Sequence, residues 1–152
     1  MAREGLAAIA LACALLASGC AGVGAFAPSA VRIGRVDFSE TREAPADEPP
    51  VKLALARTKL APDDALVASL SIAHNVISKG MSVRIAVSRV VRGGARACDE
   101  LRLADVRNSR VDARIDLRAA EPGTYAVDAE VLPAGASAPM TARAEFTVER
   151  SE

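Results

Sequence analysis

The sequence has few of the residues from which metal sites and disulfide frameworks are built. Its 152 residues include one histidine, three cysteines, one tyrosine and no tryptophan. A single imidazole is too few for a histidine-rich metal site, and three cysteines are too few for a disulfide framework. The 19 basic and 19 acidic side chains cancel, so charge gives no reason to expect nucleic-acid binding. We expect no metal, no other cofactor and no nucleic-acid partner.

The sequence also lacks a hydrophobic run long enough to cross a bilayer. The longest apolar stretch is the 12 residues from Leu6 to Ala17, which follow a positive charge at Arg3. A helix of that length spans about 18 Å, well short of the ~30 Å hydrocarbon core of a membrane. The stretch therefore has the length of a secretory signal sequence.

The residues at the end of this stretch, Ala17–Cys20 (ASGC), resemble the lipobox of bacterial lipoprotein precursors, although leucine is the usual residue where Ala17 stands. The resemblance implies cleavage between Gly19 and Cys20 and attachment of fatty acids such as palmitate to the Cys20 sulfur. Each buried methylene contributes about 0.8 kcal/mol, so two or three acyl chains hold a protein on a bilayer. Ala21 stands where aspartate usually marks inner-membrane retention, so the resemblance implies the outer membrane.

The lipobox divides the chain into a signal peptide (1–19), a flexible tether (20–30) and one domain (31–150). The residues leave open a second possibility, ordinary signal-peptidase cleavage near Ala25–Ala27, which would release a soluble exported protein. In either case Cys98 is the cysteine that stays free in the domain. Its role is left open between a half-buried packing residue and a reactive or intermolecular thiol.

Apolar and polar side chains alternate along most of residues 31–150, which is typical of strands with one buried face. Turn residues separate these segments. The pattern predicts an all-β fold, a single immunoglobulin-like antiparallel β-sandwich of about seven strands. The predicted inward positions in the clearest segments are Met81, Val83, Ile85 and Val87; Val111, Ala113, Ile115 and Leu117; Tyr125, Val127, Ala129 and Val131; and Met140, Ala142, Ala144, Phe146 and Val148.

The remaining segments give weaker signals. Strands are predicted from Val31 to Phe38, with a bulge near Gly34, from Val51 to Leu55, and from Ala95 to Leu103 after a hairpin turn at Gly93–Gly94. The acidic, proline-rich stretch 39–50 is expected to be a solvated loop without contact to the core. Residues 65–77 fit both a strand and a helix, and the strands that follow them favour the strand.

The stretch from Gly80 to Val148 resembles immunoglobulin-like domains of bacterial exported proteins. Within it Pro122–Val127 (PGTYAV) resembles their tyrosine corner, which implies that the Tyr125 hydroxyl bonds to the backbone just upstream. Two departures are the lack of a core tryptophan and the valine, Val127, where antibody domains place a cysteine. The resemblance is to the architecture and not to a particular family.

The outward positions carry charges of both signs, which favours a solvated surface or a polar protein-binding face. One strand presents Arg110, Asp112, Arg114, Asp116 and Arg118, and we expect these to pair across strands with Asp128, Glu130, Arg143 and Glu145.

The search for catalytic residues finds one candidate imidazole, His74. A triad would need Ser69 or Ser71 and Asp63 or Asp64, but in a strand Ser71 and His74 point to opposite faces, and no Gly-x-Ser-x-Gly turn is present. We expect that the protein is not an enzyme.

The hypothesis from the sequence is thus a lipid-anchored lipoprotein of the cell envelope whose sandwich is a non-catalytic binding or scaffolding module. Its expected partners are the membrane, through the anchor, and an envelope protein. The alternative is a small protease inhibitor, using an exposed loop such as 133–139 or 105–109, or a hydrolase on the same sandwich.

Overall fold

The computed structural model describes residues 31–42, 47–77 and 80–152. The predicted signal peptide and tether, with Gly19 and Cys20, lie outside the described residues. Within the described ranges no helix has the length and hydropathy of a membrane span. The strands in these ranges are β1 (Val31–Ser39), β2 (Val51–Leu55), β3 (Lys59–Leu60), β4 (Ala65–Ile72), β5 (Met81–Val91), β6 (Gly94–Val106), β7 (Arg110–Leu117), β8 (Gly123–Pro133) and β9 (Met140–Val148).

The strands form two sheets that pack face to face. The four-stranded sheet has the order β1-β7-β4-β2 and the five-stranded sheet the order β3-β9-β8-β5-β6. Neighbours are antiparallel except β3, whose two residues run parallel to β9. The prediction of an all-β two-sheet sandwich is confirmed, and the short β3 is a strand that the sequence analysis missed.

The topology is immunoglobulin-like, with one exchange between the sheets. In constant-type domains the first, second, fourth and fifth strands share one sheet, and the third, sixth and seventh form the other. Here β2, β4 and β7 share one sheet and β5, β8 and β9 the other, but the fourth strand, β6, stays with β5. The additional strand β1 occupies the place beside β7 that β6 leaves empty.

A tight hairpin explains why β6 stays with β5. Val91 pairs with Gly94, so only Arg92 and Gly93 form the loop. Gly93 has φ 86°, a conformation that glycine adopts without steric cost. The predicted turn is thus present, but Gly94 is already the first residue of β6.

The core lies between the two sheets and consists of the predicted inward-facing residues. Val111, Ala113, Ile115 and Leu117 of β7 are all 0% exposed. On β9 the prediction holds for Phe146 and Val148, whereas Met140, Ala142 and Ala144 are only half-buried. Since β3 pairs only with Thr147 and Val148, the first part of β9 lies at the sheet edge.

Two ambiguous segments are settled by the structure. The register of β1 against β7 shifts between Ile33 and Arg35, which confirms the bulge near Gly34. A Cβ at Gly34 would lie 2.4 Å from Asp116 Oδ2, so a larger residue there would force the Asp116 side chain to move. Residues 65–72 are strand, as favoured, and the chain turns after Ile72 rather than continuing to residue 77.

The prediction that the stretch 39–50 makes no contact with the core is wrong at Glu40. The side chain of Ser109 is 0% exposed and is the buried polar residue among the described ones. Its Oγ donates to Glu40 Oε2 at 2.9 Å and accepts from the Thr41 amide at 2.6 Å. Hydrogen bonds from Ser109 lower the pKa of Glu40. A buried hydroxyl needs partners, and this loop supplies them.

Candidate binding surface

Tyr125 lies at the start of β8, directly after the turn that joins the two sheets. The residue is 3% exposed, and its hydroxyl donates a 2.7 Å hydrogen bond to the Glu121 carbonyl, four residues upstream. Burial raises the pKa of Tyr125. The same turn is braced by Arg89, which pairs with the Glu121 carboxylate and donates to the Pro122 carbonyl at 2.9 Å. Tyr125 therefore has the geometry of a tyrosine corner, which is a structural role.

The carboxylates and the imidazole that were considered for a catalytic triad lie far apart. Asp63 and Asp64 precede β4, and His74 follows it in an exposed turn. Eight residues of strand separate the two ends by about 26 Å. The carboxylates are engaged locally instead: Asp63 accepts from the Ala119 amide and Asp64 from the Ala61 amide, both at 2.9 Å. This set of residues cannot form a charge relay.

The predicted pairing of outward charges is wrong, because the two sets lie on different sheets. Strand β7 belongs to the four-stranded sheet, and the strands with Asp128, Glu130, Arg143 and Glu145 belong to the other. The β7 charges pair along their own strand, Arg110 with Asp112 at 3.0 Å and Arg114 with Asp116 at 3.1 Å. Residues two apart on a strand share a face, so both pairs lie on the outer side.

The outer face of the five-stranded sheet carries a larger charge network, centred on Arg84. Its Nη2 donates to Glu100 Oε2 at 2.8 Å, and its Nη1 lies 3.3 Å from Glu130 Oε1. Arg102 donates to the second oxygen of Glu100. Among the described residues Arg84 Nε has no hydrogen-bond partner although it is buried, so the two terminal nitrogens hold the guanidinium. The arginine is fixed between carboxylates from β6 and β8.

These contacts shift the ionisation of the network. Hydrogen bonds from Arg84 and then Arg102 lower the pKa of Glu100 to about 2. The hydrogen bond to Glu100 in turn raises the pKa of Arg84. The ion pair of Glu100 with Arg84 therefore keeps its charges throughout the neutral and mildly acidic range.

A groove of about 350 Å³ opens beside this network on the outer face of the sheet. Arg84, Arg102 and Glu130 form its charged wall, and Ser82, Ala104, Leu132 and Pro139 are among its other lining residues. Leu132 is 38% exposed, which places an apolar side chain next to fixed charges. Binding sites are typically concave surfaces with both apolar and polar parts.

The sequence analysis missed this groove, although part of its signal was visible. Arg84 and Glu130 were outward positions of strands, and the hairpin at Gly93–Gly94 already indicated β6 as one neighbour of β5. The other neighbour, β8, was not visible in the sequence. The register that sets Arg84 opposite both Arg102 and Glu130 depends on β5 lying between β6 and β8. Only the three-dimensional pairing brings these side chains together.

The ionisation of Glu100 predicts a difference in acid stability. The usual pKa of 4.5 is lowered to about 2 in the folded protein, so the stabilising effect of this carboxylate is present above about pH 4.5 and is lost as the pH falls toward 2. We expect the melting temperature of the Glu100→Gln variant to fall less steeply than that of the wild type over this range. Thermal unfolding followed by circular dichroism measures both slopes.

The matched control for this measurement is Glu152→Gln, at the exposed carboxyl end of the chain. This variant should keep the wild-type slope. Parallel acid profiles of the wild type and Glu100→Gln would contradict the assignment of the low pKa to Glu100.

Comparison with known proteins gives only a distant structural likeness. No family model matches the sequence, and no curated protein matches it. Among solved structures the chain is similar to the ASH / PapD-like domain of human CEP192 (PapD-like domain 7), with 16% sequence identity and a TM-score of 0.37. The similarity covers 74% of this chain and 95% of that domain.

Proposed function

We propose that the chain is a cell-envelope lipoprotein, anchored through acylated Cys20, whose sandwich is a non-catalytic protein-binding module. The lipobox at 17–20 and the short apolar run before it support the anchor, and Ala21 supports sorting to the outer membrane. Residues 1–19 are the segment removed, and residues 20–30 are the tether to the sandwich. The proposed partners are the membrane, through the acyl chains, and an envelope protein.

The groove beside Arg84 is the surface proposed for the protein partner. The observation that carries this choice is Leu132, which is 38% exposed beside an arginine already held by two carboxylates. Groups fixed before binding lose little conformational entropy when a partner arrives. A partner segment with an apolar side chain for Leu132 and polar groups for Arg102 and Glu130 fits this surface.

Crosslinking in intact cells tests the groove. We expect the full-length chain to give a crosslinked envelope protein, and Leu132→Glu to reduce its yield about tenfold or more, as loss of a central apolar anchor does. Mass spectrometry of the purified, tagged chain identifies the crosslinked protein and its yield.

Val67→Glu is the matched control, since Val67 is 39% exposed and lies on the four-stranded sheet. The control should keep the crosslink. Equal yields from both variants, or a monomer that gives no crosslinked protein, would exclude the groove as the binding surface.

A further inference from the structure

We infer that the tip of the β5–β6 hairpin, residues 90–96, enters the headgroup region of an anionic membrane, and that this end of the sandwich faces the bilayer. The inference rests on the proposed lipid anchor for its geometry. It adds a second membrane contact, made by the folded domain, and an orientation of the domain.

The tip of the hairpin separates from the rest of its sheet. The last pair between β8 and β5 is Tyr125 with Arg89, whereas β5 continues to Val91 and pairs there only with β6. Arg89 anchors the base of the hairpin through its ion pair with Glu121. The tip beyond Arg89 is therefore a two-stranded ribbon on a fixed base.

The residues of the tip combine exposed apolar side chains with arginines. Val90 is 37% and Val91 41% exposed, although strands normally turn at least one of two consecutive valines inward. Arg92 and Arg96 are exposed, and neither forms an ion pair within the described ranges. Apolar side chains that enter the interface, flanked by arginines that reach lipid phosphates, are the chemistry of peripheral membrane binding.

The tether enters the domain at the same end. Val31 pairs with Leu117, the last residue of β7, and the turn after Leu117 leads to the start of β8 beside Arg89. The 11 residue steps from Cys20 to Val31 span at most about 36–40 Å. An anchor at Cys20 therefore keeps this end of the sandwich within about 40 Å of the bilayer, which lets the tip reach the membrane surface.

The acidic side chains nearest the tip are bound within the protein. On β6 itself Asp99, three residues after Arg96, accepts from the Ile33 amide at 2.8 Å. Asp63 accepts from the Ala119 amide, Asp64 lies 3.6 Å from Arg57, and Glu121 pairs with Arg89. Two further glutamates, at positions 149 and 152, follow β9, which is three strands from β6 and so about 14 Å away. The arginines of the tip thus face the membrane without a competing carboxylate beside them.

The opposite end carries acidic side chains together with two arginines. Glu40, Asp47, Glu48 and Asp105 lie there with Arg42 and Arg107, at the ends of β1 and β6 and before β2. Arg107 pairs with Asp105 at 3.1 Å. The exposed valines, the tip arginines and the point of tether entry select the hairpin end as the end that faces the membrane.

A single-tryptophan experiment tests the inference, because the chain contains no tryptophan. Val91→Trp places a reporter at the tip, and Ala136→Trp places one in the loop at the opposite end. Each full-length variant is reconstituted into vesicles of phosphatidylglycerol and chain-brominated phosphatidylcholine. We expect Trp fluorescence to be blue-shifted and quenched for Val91→Trp and unchanged for Ala136→Trp. Equal quenching at the two positions in vesicle-bound protein would overturn the inference.

The unacylated Cys20→Ser chain, purified as residues 20–152 so that the apolar segment 1–19 contributes nothing, separates this inference from the proposed anchor. Its partition onto anionic vesicles should fall about fivefold for each tip arginine neutralised, in Arg92→Gln and Arg96→Gln, and should not fall in Arg42→Gln at the opposite end. If the chain with Cys20 intact carries no acyl group when purified from cells and Val91→Trp is still quenched, the anchor is refuted and the inference is kept. If the acylated protein floats with the vesicles but Val91→Trp is not quenched, the inference is refuted and the proposed anchor is kept. If a change at Arg92 instead reduced the yield of a crosslinked protein, the tip would be a protein-binding surface. That result would also refute the membrane inference.

Discussion

Replacing Phe146 with alanine is expected to lower the free energy of unfolding by about 3–5 kcal/mol, the usual effect of removing a buried aromatic ring. Phe146 is 1% exposed, and its ring stacks on Tyr125 with centroids 5.4 Å apart and 11° between the planes. Many inward positions nearby are alanine, so few long side chains can fill the cavity. Most domains have 5–15 kcal/mol of stability in total, so we expect this variant to be largely unfolded in a urea titration.

Phe38→Ala is the control of matching chemistry, because Phe38 is 47% exposed at the end of β1. Its loss should change the free energy of unfolding by about 0.5 kcal/mol, as is usual for surface substitutions. A Phe146→Ala variant with the wild-type urea midpoint would show that the ring is not part of the core.

Replacing Cys20 with serine is expected to abolish fatty-acid labelling and to remove the protein from the outer-membrane fraction. The hydroxyl of serine is not acylated as the thiol is, so the chain lacks the acyl groups that would hold it on the outer membrane. The precursor should accumulate with residues 1–19 attached. Labelling of cells with a palmitate analogue, followed by fractionation and gel mobility, measures all three effects.

Cys13→Ser is the control for this substitution, since it removes a thiol from the same amino-terminal segment without touching the lipobox. This variant should be labelled and processed like the wild type. If wild type and Cys20→Ser are both unlabelled and mature to the same size, the chain is cleaved elsewhere, as at the alternative site near Ala25–Ala27.

The sequence predicted the sandwich because its signal is local. Alternation along β5, β7 and β8 follows from one dry and one wet face per strand, and it requires no knowledge of which strands are neighbours. The bulge at Gly34 and the turn at Gly93 were also visible, because a change of alternation and a pair of glycines are local features. Tyr125 was placed correctly at the turn into β8 through its short motif.

What the sequence could not give was the pairing of distant segments. The outward charges of β7 were assigned partners on β8 and β9, which lie in the other sheet. The contact between Glu40 and Ser109 joins residues 69 positions apart, and no periodicity marks it. The groove beside Arg84 also requires β8 on the other side of β5, a pairing of distant segments that no local turn signal marks. Which strands become neighbours depends on competition among long-range contacts. The outcome of that competition cannot be read from the local pattern of a single sequence.

The position of β1 has a mechanical consequence. It is the strand that directly follows the proposed tether, and it is bonded to β7 along eight register pairs. The hydrogen bonds between antiparallel strands run perpendicular to the chain. Tension on the amino-terminal segment, directed along β1, would therefore load these bonds in shear. All of them would bear the force together rather than one at a time. A module pulled between its acyl chains and a bound partner would therefore resist detachment of its first strand, and the sandwich would transmit force without unravelling from its anchored end.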